Sequence, residues 1–110
     1  MGNVLNETEQ LVLLALARLG DSAYGVTVRQ EIEVRSGTPV SIAAVYAALA
    51  RLEQRGLAAA WLSEPTPQRG GRARKHFRLT PDGASALTSA RRAMDRMWDG
   101  LDLGSEGSRT

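Results

Sequence analysis

Apolar positions along the chain fall into four stretches with helical spacing and two with strand-like alternation. The first, Leu11-Val12-Leu13-Leu14-Ala15-Leu16-Ala17, follows Asn6-Glu7-Thr8-Glu9 and stops at Gly20. Asn6 suits an N-cap, and Glu9 three residues on completes a capping box. The helix so started is apolar on nearly every side, whereas one small domain offers it a single core face. The surplus, with Leu11 and Leu14 in it, predicts a partner helix, most simply from a second copy of the chain.

A second helix is expected from Ala23 or Tyr24 to Ser36, with Val28 and Ile32 in the core and Gly37 at the left-handed cap position. Thr38-Pro39-Val40 makes a turn, because Pro39 drives Thr38 out of helical conformation. Ser41 then caps a third helix, with Val40 stapled against Val45. Ile42, Val45, Leu49 and Leu52 form its apolar stripe, and Gly56 stops it after Arg55. The opposite face carries Ala43, Ala44, Ala47, Ala50, Arg51 and Gln54, four of them with only a methyl group.

Two strands are expected at roughly 57–64 and 74–79, the first ended by Pro65-Thr66-Pro67. In the second, Lys75, Phe77 and Leu79 share one face, with Phe77 and Leu79 toward the core. Arg74, His76 and Arg78 share the outward face, where His76 reads as a solvated residue. Thr80-Pro81-Asp82 starts a last helix reaching about Leu101. Leu87, Ala90, Met94, Met97 and Leu101 recur along it as a heptad-like seam flanked by Trp98. The expected fold is mainly α with a two-stranded β wing. It divides into a winged helix-turn-helix over 1–80, a dimerisation helix over 81–101 and a disordered tail over 102–110.

Composition narrows the function. The 110 residues make one domain with a net charge of only +2, so the chain as a whole is not a polycation. Its charge is unevenly spread: residues 69 to 78 hold Arg69, Arg72, Arg74, Lys75 and Arg78 around Gly70-Gly71, with no acid. A basic loop joining two strands after a helical half neutralises phosphates beside a helix lying in a DNA groove. Hairpin tips are often charged for solubility alone, but such surfaces mix signs. Thirteen of the fourteen basic residues are Arg, which favours planar contacts with phosphate or guanine, although genome composition gives the same bias. The absence of Cys excludes disulfides, thiolate metal sites and cysteine nucleophiles. The single His, His76, cannot build a His-rich metal site and has no nucleophile paired with it. No metal, cofactor or catalysis is therefore expected.

The run Leu11 to Leu19 is interrupted by Arg18 and is too short to span a bilayer. Met1-Gly2 begins like a myristoylation signal but has Asn6 where Ser or Thr is needed. A cytoplasmic protein without membrane attachment is expected.

On the third helix, small side chains at Ala43, Ala44 and Ala47 allow close approach to the groove floor, where Ala can touch a thymine methyl. Ala is equally the best helix former, so propensity alone accounts for the same residues. Arg51 and Gln54 lie one turn further on, within reach of a base edge or a phosphate. Tyr46 stands at the margin of the apolar stripe and belongs either to the core or to a phosphate contact through its hydroxyl.

Tyr24-Gly25, the segment Val45 to Leu57 containing Leu49-Ala50-Arg51-Leu52-Glu53-Gln54-Arg55-Gly56-Leu57, and the segment Gly70 to Gly83 containing Phe77-Arg78-Leu79-Thr80-Pro81-Asp82-Gly83 together resemble the PadR family of bacterial transcription regulators. The resemblance covers roughly residues 8 to 101. Phe77 stands where the family usually has Tyr, and Pro65-Thr66-Pro67 lengthens the wing. The resemblance implies a homodimer binding double-stranded DNA at palindromic promoter sites, mostly as a repressor. It implies a last helix packed on the first helix of the other subunit, and places this chain in the short subgroup with one C-terminal helix. It assigns DNA contact to Ser41 at the start of the third helix and to Tyr46, with Arg72, Arg74 and Lys75 supporting from the wing. Some short members hold a small planar aromatic effector with a Trp on the last helix, which makes Trp98 and Met94 effector candidates here. Against that, a Met and Trp stripe at helical spacing is more often packing than a ligand site. A winged-helix module meeting an acidic protein is the rival reading.

Overall fold

In a computed structural model, which describes residues 4–64 and 73–103, the N-terminal capping box closes as expected. The Asn6 side chain accepts the Glu9 N–H at 2.7 Å, and the Glu9 carboxylate accepts the Asn6 N–H at 3.0 Å. This starts α1 (Glu7–Leu19), followed by a 3-10 turn at Gly20–Ser22 and α2 (Gly25–Ser36). Gly37 closes α2 with a φ of 74°, a left-handed conformation that costs glycine little. α3 (Ile42–Gln54) begins at Ser41, whose hydroxyl accepts the Ala44 N–H at 3.0 Å.

These three helices share the core. Of the largest fully buried side chains, all but Leu57 come from α1, α2 and α3: Val12, Leu13, Leu16, Val28, Val45, Leu49 and Leu52. Each stabilises by about 1.5–3 kcal/mol, so helix packing rather than the sheet carries the fold. Ile42, expected in the stripe, is the first residue of α3 and stays 37% exposed, while Ala48 is buried among the others.

The sheet has two antiparallel strands, β1 (Ala58–Leu62) and β2 (Lys75–Leu79), in register from Ala58 opposite Leu79 to Leu62 opposite Lys75. Ser63 and Arg74 add one more step: the Ser63 N–H donates to the Arg74 carbonyl at 2.9 Å, and the Arg74 N–H donates to the Ser63 hydroxyl at 3.0 Å. The other edge of β2 is also engaged. Tyr24 forms an isolated bridge with His76, and the Phe77 N–H donates to the Ala23 carbonyl at 2.9 Å. The result is a winged helix-turn-helix.

α4 (Pro81–Trp98) is fastened to this body through Thr80. The Thr80 hydroxyl accepts the Gly83 N–H at 3.0 Å and donates to the Gly56 carbonyl at 2.7 Å. Gly83 and Ala86 are buried, and every residue from Arg91 to Leu103 is exposed. The helix ends earlier than its apolar seam. Asp99 leaves helical conformation at φ −57° and ψ 129°, and Gly100 follows at φ 81°. Leu101 therefore lies off the helix, contrary to its expected seam position. Of the expected tail, residues 104–110 lie outside the described residues.

Candidate nucleic-acid interface

The helix-turn-helix leaves one side of α3 uncovered. Ala43, Ala47, Ala50 and Gln54, at steps of four, three and four, are exposed along it, and Ala44 is half-buried. A line of methyl groups lets the helix axis approach a groove floor more closely than longer side chains would. Ser41 stands exposed at its N-terminal end.

Arg51, expected on this face, has its guanidinium turned back toward α1. Its Nε donates to the Glu9 Oε2 at 2.9 Å, and Arg55 Nη1 stands 3.5 Å from Glu9 Oε1. Arg55 also donates to the Val4 carbonyl at 3.0 Å, which clips the chain before α1 to the end of α3. Glu9 is 4% exposed. Burial alone would push its carboxyl up, but the Asn6 N–H and the two guanidiniums outweigh that and hold it below the ordinary value of 4.5. Arg51 thus ties α3 to α1 through a charge-assisted hydrogen bond from its Nε, while its side chain stays 47% exposed.

On the opposite margin of α3, Tyr46 is 50% exposed and leans on Gly25 at the start of α2. The wing lies beside it. The Arg74 guanidinium sits 4.2 Å above the Tyr24 ring, a cation–π contact at the wing's base. Lys75 Nζ is 3.4 Å from Glu53 Oε1 on α3 and 5.4 Å from the Phe77 ring centre, so this lysine is partly neutralised. Tyr24, Tyr46, Glu53, Arg74 and Lys75 line a cleft of about 290 Å³ between α3, the first turn of α2 and the wing. Arg78 is exposed. Arg69 and Arg72, with Gly70-Gly71, lie outside the described residues.

His76 corrects the sequence reading. Its alternation with Arg74 and Arg78 is as expected, yet it is only 9% exposed. Trp61, directly across the ladder, stacks on it at 4.4 Å, and Tyr24 meets it edge-on at 5.4 Å. Two aromatic rings roof a face that was expected to be solvated. The supporting roles of Trp61 beside His76 and of Glu9 beneath Arg51 were missed from the sequence, and Tyr24-Gly25 were noted only as motif residues. Strand alternation on β1, with Ala59 and Trp61 on one side, was the available signal for Trp61.

This geometry, a helix-turn-helix with a bare alanine face beside a basic wing, is that of a DNA-binding domain. Residues 12–89 match the model of the "Transcriptional regulator PadR-like family". The chain belongs to this family. The motif resemblance read from the sequence is borne out, and with it the assignment as a DNA-binding transcription regulator. Solved structures agree. A PadR family regulator from Eggerthella lenta DSM 2243 is 28% identical with a TM-score of 0.65, covering 83% of this chain and 77% of that one. One from hypervirulent Clostridium difficile R20291 is 24% identical with a TM-score of 0.68, covering 86% and 96%. A regulator from Clostridium thermocellum, 23% identical with a TM-score of 0.69 and covering 82% and 84%, shares the fold. No curated protein matches the sequence.

In this PadR-like chain the apolar surplus gathers on the side of α1 and α4. Leu11 is half-buried, Leu14 is exposed, and Leu87 and Ala90 are half-buried against the core. Met94, Met97, Trp98 and Leu101 are all exposed, Met97 at 73%. Leu14 forms the ridge between two grooves, one of about 740 Å³ against α2 and one of about 530 Å³ along α4 that Leu87, Met94 and Trp98 line. Among the described residues no helix is long and apolar enough to cross a membrane, and no three metal-ligating side chains cluster.

Proposed function

We propose that this PadR-like regulator acts as a cytoplasmic homodimeric repressor, without catalysis, at a palindromic promoter site. The observation that carries the proposal is the alanine face of α3 set beside the wing that bears Arg74. Two such faces, related by the dimer axis, would enter successive major grooves about 34 Å apart. Ala43, Ala44 and Ala47 would meet base edges, where methyl groups favour thymine, while Ser41, Tyr46 and the wing residues Arg69, Arg72, Arg74 and Lys75 would hold phosphates. The dimer would bury the apolar strip of Leu11, Leu14, Met94, Met97, Trp98 and Leu101, since exposed apolar side chains in this density mark an association surface. Trp98 and Met94, lining the α1–α4 groove, would hold a small planar aromatic effector that releases the DNA.

Selection of genomic fragments by the purified chain, followed by footprinting, tests the proposal. Two protected half-sites about one helical turn apart, with inverted repeats, are expected. Binding to heparin as tight as to any selected duplex would instead favour a module that meets acidic partners.

A further inference from the structure

Gly25 opens α2 in a backbone conformation outside the left-handed region, so nothing in the backbone demands glycine there. Helix propensity favours alanine at such a position. The space beside it is taken by a residue of another helix. A Cβ on Gly25 would overlap the Cε1, Cζ and Oη atoms of Tyr46, so the ring and hydroxyl end of Tyr46 occupy the volume of the missing side chain. This draws the tyrosine across from α3 to the first turn of α2, into the cleft that Arg74 and Lys75 also line.

We infer that Gly25 is a positioning residue for DNA binding. By lacking a side chain it seats Tyr46 so that its hydroxyl stands with the Arg74 guanidinium, where one backbone phosphate meets both. Tyr24, the residue before it, supports the Arg74 side of the same cleft through its ring. The inference rests on the DNA-binding reading above and adds to it the cause of the tyrosine's orientation. The three atoms nearest to a methyl at position 25 all belong to the far end of a half-exposed side chain, so the methyl displaces the ring and leaves α2 in place.

The test is a double-mutant cycle with Gly25→Ala and Tyr46→Ala, read by affinity for the duplex that the wild-type chain selects and by thermal midpoint. Gly25→Ala is expected to bind about tenfold more weakly, the scale of one hydrogen bond to a charged group, with a midpoint no lower than wild type. Tyr46→Ala should lose at least as much, and Gly25→Ala should cost nothing further in that background. The inference is overturned if Gly25→Ala binds like wild type, or if it costs the same factor in both backgrounds. It is equally overturned if its midpoint falls and Tyr46→Ala does not restore it. Failure of the wild-type chain itself to bind any duplex would remove the DNA-binding reading, and this inference with it.

Discussion

Gly83→Ala sets two local effects of opposite sign against each other. Gly83 is the third residue of α4, and inside a helix alanine is favoured over glycine by about 1 kcal/mol. Here a Cβ would overlap the Leu57 carbonyl oxygen and stand 3.1 Å from its carbon and 2.8 Å from the Leu79 Cδ1. The Leu79 methyl can rotate away. The carbonyl cannot, because the Leu57 N–H is tied to the Leu52 carbonyl at 2.9 Å and its oxygen accepts the Thr80 N–H at 3.3 Å. Relief therefore requires α4 to move off the body, which also loosens the Thr80 cap. Overpacking costs about 1–3 kcal/mol and a broken cap about 1 kcal/mol more, against the roughly 1 kcal/mol of propensity. A net loss of about 2 kcal/mol lowers the thermal midpoint of a domain this size by about 8–15 °C. Circular dichroism at fixed protein concentration measures it, with Ser85→Ala, exposed in the same helix, as control. The control should gain about 0.5 kcal/mol or less. A Gly83→Ala variant as stable as wild type would refute the packing argument.

Glu9→Gln should destabilise by about 1–3 kcal/mol at neutral pH, because it leaves Arg51 and Arg55 without their carboxylate; the partial exposure of both arginines keeps the loss below that of a fully buried pair. Since folding lowers the Glu9 pKa, its contribution is complete above the unfolded value of 4.5 and is lost as pH falls through the folded value. Urea unfolding across that acid range should show a slope in wild type that Glu9→Gln flattens; equal slopes would contradict the clamp. Trp61→Ala should cost about 2 kcal/mol by uncovering His76 and weakening the wing's base, read by thermal unfolding. Leu14→Glu combined with Met97→Glu should convert the proposed dimer to a monomer in sedimentation equilibrium while helical content persists; a dimer unchanged by both substitutions would place the interface elsewhere.

Local chemistry made much of the fold legible. Asn6 with Glu9, Ser41 and Thr80-Pro81 start helices and Gly37 ends one, each acting within a few residues of itself, so sequence spacing found the four helices and three of their starts; α2, expected from Ala23 or Tyr24, begins at Gly25. The two strands were equally visible, within a residue or two at their ends. What spacing missed were contacts between distant parts of the chain. Arg51 reaches Glu9 across 42 positions, and His76 is covered by Trp61 from the neighbouring strand and by Tyr24 from the start of α2. Gly25 entered the sequence reading only as part of the Tyr24-Gly25 motif, because the side chain that fills its space, Tyr46, lies on another helix. Leu101 kept the seam's spacing although Asp99 and Gly100 had already ended the helix, since apolar spacing records side chains and not the backbone's exit. On the proposed DNA face, periodicity could name exposed residues but could not say which arginine was already paired with a carboxylate.

The most direct test of the account is the affinity of the wild-type chain for its selected duplex as salt rises. If wing and helices together neutralise several phosphates on each half-site, binding should weaken about a thousandfold or more between about 50 and 200 mM salt. Arg74→Ala should make that dependence shallower, by about one unit of log–log slope for each phosphate the variant no longer neutralises. An affinity that stays constant across this range would contradict the assignment of the wing and α3 to DNA.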